Sequence, residues 1–479
     1  MLLSMRARAP WTRLALLWLA LLTRVLWLAR FPADPIGPID AEGFHLLAAN
    51  VLVGRGFAIG WEPPFCPTAI RPPLYPAFVA GVYATLGRDP ARVVLMQLLL
   101  EVLTTALVIR LGREVGGARV GTLAGLLYVL NGTTQRYAGY LLAEMLLLPL
   151  MAAALWATAR GLRRPSAERL AAAGALWGAT ILTKPNVQPA VWAVGALLMA
   201  RLWLSERRGI WVALAFWLAL GGVLFPWSLR NRRVLGRWML SSAFEENLAR
   251  VSAVATLAEV AGVPVEPWTE TWEYLYDEGV VGRAARRYGW SQPWESYFLP
   301  CDVQTTRHAQ ITEAAREIVA AHPGAMARAH WRGVRVSLLD PGHETWYVAF
   351  TGEPWAATGT MRAIWARIGW SLERWAWGDA LQVLWRERVV GLPPGAALLW
   401  WGLVALRGAV WWMSARGTWR LLRSRPWAAL ALAGMAAYLV VLPGAIAHDR
   451  FYVPAIPAVV VMVANGKRET SRSTALSQK

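Results

Sequence analysis

The stretch from Leu14 to Phe31, LALLWLALLTRVLWLARF, is followed closely by Pro38-Ile39-Asp40-Ala41-Glu42-Gly43-Phe44-His45. As a helix the first run matches the hydrocarbon thickness of a bilayer, which takes about 20 apolar residues to cross. Similar runs recur near 93–110, 120–131, 141–159, 170–183, 187–204, 210–228, 391–413, 427–446 and 451–465. The sequence therefore predicts an all-α polytopic membrane protein with about ten transmembrane helices. The runs at 120–131 and 451–465 are short for a full crossing, so their boundaries are the loosest. Composition agrees: of 479 residues 56% are hydrophobic and 16% charged, against roughly 25% charged in soluble domains. A soluble enzyme, a disordered chain, a coiled coil and a disulfide scaffold are excluded. No small-residue cleavage site follows the first run, which reads as an uncleaved anchor.

The formal charge is +19, a value that suggests nucleic acid only until its positions are read. Twenty basic side chains fall in alternate short gaps, among them Arg6, Arg8, Arg13, Arg110, Arg113, Arg119, Arg160, Arg163, Arg416, Arg420 and Lys467. The intervening short gaps hold only Arg136, Lys184 and Arg450. That asymmetry predicts a positive-inside topology with both termini cytoplasmic, and no nucleic-acid partner.

The chain then divides into a transmembrane core at 1–228 that includes a first external loop at 32–90, an external helical region at 229–390, and C-terminal transmembrane helices with a cytoplasmic tail at 391–479. In the first loop the proline pairs at 63–64 and 72–73 break helix and leave an amphipathic stretch near 74–86 to lie along the membrane. In the external region 18 arginines balance 18 acids, as in a small folded helical domain. Its Trp268, Trp272, Trp290 and Trp294 are expected as interface anchors rather than sugar platforms. Cys66 and Cys301 both fall outside, where pairing is geometrically open, but two unpaired thiols are the expectation. Asn131-Gly132-Thr133 has the form of a glycosylation acceptor and is discounted because it abuts a span.

Five side chains stand out for chemistry. Asp40 lies just beyond the outer end of the first span, where a carboxylate can take the proton of an acceptor. Taken alone it reads as an ordinary loop acid. Glu144 is stronger, because an ionised group in the first turns of an apolar span needs a partner. Glu101 is assigned a structural partner within the bundle. Arg71, on a stiff Arg71-Pro-Pro-Leu-Tyr75 turn, suits a phosphate at the headgroup plane as well as it suits simple snorkelling. Lys184 and Arg450 bring two more cations to the same side. Two acids and three cations at one depth fit transfer of a sugar from a lipid phosphate, the cations stabilising the departing phosphate. The acids could also share a divalent cation.

These motifs resemble those of polytopic GT-C glycosyltransferases that use polyprenyl-phosphate sugars, the relatives of protein O-mannosyltransferases and of the lipid A aminoarabinose transferase. Asp40-Ala-Glu-Gly-Phe44 is similar to the family's first-loop acid motif, Arg71 to Tyr75 to its basic-Pro-Pro-Leu-Tyr turn, and Glu144 to its second acid. Leu182-Thr-Lys-Pro185, Phe225-Pro-Trp-Ser-Leu-Arg-Asn231 and Arg450-Phe-Tyr-Val-Pro454 match later motifs in order. The resemblance implies Asp40 and Glu144 as catalytic acids and as candidate ligands of a divalent metal of unknown identity, and Arg71, Arg450 and Lys184 as donor-phosphate ligands. Phe44 replaces a commoner tyrosine, and Lys184 keeps the charge of a commoner arginine without its bidentate fork.

The expected function is a bacterial inner-membrane glycosyltransferase, active on the periplasmic side. It would move a sugar from a polyprenyl-phosphate donor to a lipid, polysaccharide or protein acceptor with inversion. The alternative is a transporter of lipid-linked sugars, in which polar residues would recur through the depth of the bundle.

Overall fold

The protein is described here by a computed structural model covering residues 2–205, 209–263, 269–291, 301–339, 375–386, 394–444 and 449–467, with single positions at 368, 371 and 390. The chain begins with α1 (Leu2–Arg30), α2 (Ile39–Leu52), α3 (Leu74–Leu86), α4 (Pro90–Gly116), α5 (Ala118–Val129), α6 (Gly132–Tyr137), α7 (Glu144–Arg163), α8 (Ala167–Thr183), α9 (Gln188–Ser205) and α10 (Gly209–Leu235). A smaller helical unit follows with α11 (Ala243–Asn247), α12 (Val254–Ala261), α13 (Glu270–Tyr274), α14 (Gly282–Tyr288), α15 (Cys301–Ala321) and α16 (Pro323–Leu339). After α17 (Trp377–Trp385) the chain returns through α18 (Pro394–Ser424), α19 (Pro426–Val441), α20 (Asp449–Tyr452) and α21 (Ile456–Gly466). The only strands among the described residues are β1 (Ala58–Ile59) and β2 (Cys66–Pro67), which pair antiparallel.

The protein is an all-α polytopic membrane protein. A helix lies on each of the ten runs read from the sequence. Among the described residues, five helices are long and apolar enough to cross a membrane: Trp11–Arg30, Pro90–Gly116, Glu144–Arg163, Pro185–Ser205 and Trp211–Leu235. Ala118–Val129, Pro426–Val441 and Val453–Gly466 are shorter apolar helices.

Local chemistry sets the helix ends. Asp89 caps α4 by accepting from the Ala91 amide, with Pro90 in the first turn where its missing N–H costs nothing. Asn131 likewise caps α6 through the Thr134 amide, which occupies the side chain of the discounted glycosylation triplet. The first-loop helix α3 is a short apolar helix. It buries Tyr75, Val79, Val82 and Tyr83 and leaves Ala84 to Leu86 exposed.

One large apolar core runs through the helices of the two ends of the chain. Their contact depends on small residues: a side chain at Gly417 on α18 would meet the backbone of Met462 and Gly466 on α21, and one at Gly466 would meet Met413. Backbones that approach so closely pack by dispersion without a hydrophobic driving force, as in lipid. A buried ion pair adds a polar tie. Arg24 Nη2 lies 3.0 Å from Glu101 Oε2 with neither side chain exposed, and Tyr128 donates to Glu101 at 2.9 Å. Glu101 thus has the structural partner expected of it.

The smaller unit has its own core of Val251, Val254, Trp272, Tyr276, Val280 and Ile318. Trp272 is 2% exposed, with its indole N–H donated to the Arg250 carbonyl at 3.0 Å, and Trp290 packs against the same core. Trp272 is therefore a core residue rather than an interface anchor, where a ring buries more apolar area than any smaller residue could, whereas Trp290 is half-buried and donates to Gln310 at 2.9 Å. Trp268 and Trp294 lie outside the described residues, as do Arg207, Arg208 and most of the expected cytoplasmic tail.

Replacing Gly417 with Leu is expected to destabilise the bundle by roughly 1–3 kcal/mol, the cost of overpacking. Gly434→Leu, where an added side chain meets nothing within 4 Å, serves as control. Thermal unfolding in detergent reads the difference, and equal melting of the two variants would refute the close contact.

Candidate active site

Asp40 stands in the first turn of α2, beside the free N–H groups that favour negative charge. Arg71 precedes the prolines that start α3, on a loop fixed from outside. Arg230 donates to the carbonyls of Thr68 at 2.8 Å and Phe57 at 2.9 Å. Ser241 Oγ donates to Ile70 O at 2.9 Å, and the Ser242 amide donates to Ala69 O. Glu144 opens α7. The segment before it is held by the Leu141 amide on Pro35 O, and by Gln97, which donates to the carbonyls of Ala138 and Tyr140 and accepts from Tyr75 at 2.6 Å. Lys184 closes α8 in an extended conformation, as the following Pro185 requires. Arg450 lies on α20, immediately before the last apolar helix.

These five elements bring the five sequence-derived residues into one cluster. Arg450 donates from Nη1 to Asp40 Oδ2 at 2.8 Å, and from Nε and Nη2 to Glu144 at 2.8 and 3.3 Å. Lys184 Nζ donates to Glu144 Oε1 at 2.7 Å. Arg71 Nη2 pairs with Asp40 Oδ1, and its guanidinium lies 5.3 Å over the Phe44 ring. The cluster is graded in access. Glu144 is wholly buried, Lys184 and Arg450 are 17% and 16% exposed, and Asp40 and Arg71 are 30% and 33% exposed. A buried carboxylate left without its cations would cost about 3–5 kcal/mol, and Arg450 and Lys184 are the partners that Glu144 finds.

The Asp40 carboxyl feels opposing effects. Burial raises its pKa, but Arg71 and then Arg450 outweigh burial and the repulsion from Glu144, leaving it below its ordinary value of 3.8. His45 turns away from the cluster, with Nδ1 2.7 Å from the Tyr83 hydroxyl. Burial, with Arg88 nearby, lowers its pKa, so the ring is neutral at pH 7. Glu42 is exposed. His448 lies outside the described residues.

A divalent cation shared by Asp40 and Glu144 does not fit this donor set. Both carboxylates already face guanidinium or ammonium groups, and no group of three or more His, Cys, Asp or Glu side chains suited to a metal occurs among the described residues.

Cys66 and Cys301 correct the expectation of two free thiols. They are joined in a disulfide, with Cα atoms 5.2 Å apart, that ties β2 to the start of α15. A separation of 235 residues hid the pairing, since sequence alone says nothing of which distant loops meet. Arg24 also went unread, although its charge inside the first apolar run signals a buried acid partner. Gln97 carries no pattern that marks it beforehand, whereas Arg230 stands in the Phe225 to Asn231 motif without a role assigned to it from the sequence.

In the unreduced, unfolded protein a maleimide should label no cysteine, and after reduction two. Cys301→Ser should lose about 2–4 kcal/mol of stability, read by thermal unfolding; labelling without reductant would disprove the bridge. The Asp40 pairing predicts a pH dependence. Because the folded pKa lies below the unfolded one, its stabilisation is complete above the ordinary aspartate range and is lost as pH falls through the folded value. Melting temperature followed below about pH 4 should fall less steeply in Asp40→Asn than in the wild type, and an unchanged slope would contradict the depressed pKa.

Residues 70–227 match the family described as dolichyl-phosphate-mannose-protein mannosyltransferase. No curated protein matches the chain. Among solved structures, oligosaccharyltransferase AglB of Archaeoglobus fulgidus, in complex with an inhibitory peptide and a dolichol-phosphate, is 14% identical over 94% of this chain and 50% of its own, with TM-score 0.48. The oligosaccharyltransferase of the same organism in complex with Zn and sulfate is 13% identical over 94% and 48%, with TM-score 0.47. ArnT of Cupriavidus metallidurans bound to undecaprenyl phosphate is 15% identical over 93% and 77%, with TM-score 0.41. The chain spans about half the length of the oligosaccharyltransferases it matches. Its stretch from Ile70 to Trp227, which carries Arg71, Glu144 and Lys184, is similar to the dolichyl-phosphate-mannose-protein mannosyltransferase family.

Proposed function

We propose that the protein is a membrane glycosyltransferase that moves a sugar from a polyprenyl-phosphate donor to a lipid, polysaccharide or protein acceptor. The observation that carries this is the convergence of Asp40 and Glu144 with Arg71, Lys184 and Arg450 in one partly open cluster, three of the five lying in the stretch that matches the mannosyltransferase family. Those five groups sum to +1, which suits a phosphate anion. In the proposed reaction Arg71 and Arg450 bind the donor phosphate. Lys184 acts mainly by holding Glu144 with Arg450. Asp40 accepts the proton of the acceptor hydroxyl or amine while its oxygen or nitrogen bonds to the anomeric carbon. The anomeric carbon–oxygen bond to phosphate breaks from the opposite face, its electron pair leaving with the polyprenyl phosphate, and the sugar is transferred with inversion. The cations stabilise the charge that develops on the phosphate. No step passes through a metal.

The reading places this chemistry on the periplasmic face of a bacterial inner membrane, with ten crossings, both termini cytoplasmic, and the region 229–390 above the core. The basic residues of the alternate gaps support that orientation, and so does the Cys66–Cys301 disulfide, which suits an oxidising compartment. The transporter alternative gains no support. The cluster sits where helices end, and the polar pair at mid-depth, Arg24 and Glu101, is sealed from solvent.

Purified protein given labelled polyprenyl-phosphate sugar and an extract of envelope acceptors should form labelled product. Asp40→Asn should lower the rate by about 10²–10⁴-fold, the scale of general base catalysis. Arg71→Ala should impair donor use far more than melting temperature. Label that crosses vesicles without forming product would overturn the assignment in favour of transport.

A further inference from the structure

Both oxygens of the Asp40 carboxylate are engaged, Oδ1 by Arg71 and Oδ2 by Arg450 at 2.8 Å. A carboxylate that is to take a proton needs an oxygen directed at that proton. The two guanidiniums that cover it differ in how firmly they are held. Arg450 is anchored by its Nε and Nη2 bonds to the wholly buried Glu144. Arg71 is a third exposed and makes one ion pair among the described residues, with Asp40, besides its approach to the Phe44 ring. Its backbone neighbours are fixed by Ser241 and Ser242, so the side chain can swing without the loop moving.

We infer that Asp40 and the donor phosphate compete for Arg71, so that arrival of the donor draws the guanidinium off Oδ1 and uncovers that oxygen as the base. The inference rests on the glycosyltransferase reading and adds an order to it: donor first, then acceptor. Without donor the carboxylate stays capped, and its depressed pKa is a consequence of that capping. With Arg71 turned to phosphate, Asp40 keeps one guanidinium and becomes a better proton acceptor at the moment an acceptor is useful.

The test is binding of undecaprenyl phosphate, without sugar, to the full-length protein in detergent. In Asp40→Asn the competitor for Arg71 is gone, and the lipid should bind about fivefold more tightly, the scale of releasing one partly exposed ion pair. Arg71→Ala should bind more weakly, and adding Asp40→Asn to it should restore little of the loss, because the cycle isolates the contribution that runs through Arg71. Equal tightening in both backgrounds would mean simple repulsion between Asp40 and phosphate, and would overturn the competition; so would unchanged or weaker binding in Asp40→Asn with an unchanged melting temperature. Phosphatidylglycerol in the same titration should show no effect of Asp40→Asn, and tightening there to the same degree would make Arg71 a general headgroup contact and also overturn it. Wild-type protein that binds no undecaprenyl phosphate and transfers no sugar would sink the glycosyltransferase reading itself. Wild-type protein that does both, with no tightening in Asp40→Asn, would sink only the competition.

Discussion

Glu144 has no exposed surface and stands at the start of an apolar helix, so its charge can persist only where the chain delivers cations to it. Two arrive, from far apart in the sequence. Lys184 ends the next helix, and Arg450 comes from 306 residues away. The same arginine reaches Asp40 across 410 residues. One guanidinium therefore joins the first loop, the start of α7 and the approach to the last helix, and its cost of burial is met only when all three are in place. The glycine contacts of α18 and α21 let those two C-terminal helices seat closely against each other.

The groups that meet at Arg450 do not share one environment. Glu144 and Lys184 lie deep and are held by short bonds, whereas Asp40 and Arg71 are open to about a third of their surface. The buried acid is bonded to Arg450 and Lys184, and the exposed pair is the part of the cluster open to solvent. Phe44 adds to this. Its ring lies edge-on to Tyr75 and under the Arg71 guanidinium, an apolar seat that holds the cation by weak attraction without competing for its hydrogen bonds, as a tyrosine hydroxyl at this position could.

The helices were legible because an apolar run long enough to cross a bilayer has few other fates, and charge in the gaps orders such runs. Glu144, Lys184 and Arg450 were legible for a related reason, since charge placed at the end of an apolar run demands explanation, whereas Asp40 and Arg71 of the first loop stood out through their conjunction with those three and the resemblance of their motifs. The rest was hidden by what one sequence does not record. Cys66 and Cys301 are brought together by tertiary packing, and neither local pattern names the other. Trp272 was misread because tryptophan serves both interfaces and cores, and only the neighbours on α15 and the π-type turns at Leu248–Ala253 and Leu275–Val281 decide between them. Gln97 and Arg230 hold their loops mainly through backbone carbonyls, at Ala138 and Tyr140 and at Thr68 and Phe57, and such partners leave no mark in side-chain identity.

The small unit after α10 touches the cluster indirectly and from both sides. On one side the disulfide, Ser241 and Ser242, together with Arg230 of α10, fix the loop that ends in Arg71. On the other, Arg407 and Trp411 of α18 donate to the carbonyl of Leu338 at the end of α16, while the Arg407 guanidinium lies 3.9 Å over the Tyr452 ring, two residues beyond Arg450. His330 of α16 meets the Val441 carbonyl at the end of α19 at 3.0 Å. This unit is therefore tied by hydrogen bonds, a disulfide and a ring contact to the segments that carry both guanidiniums covering Asp40.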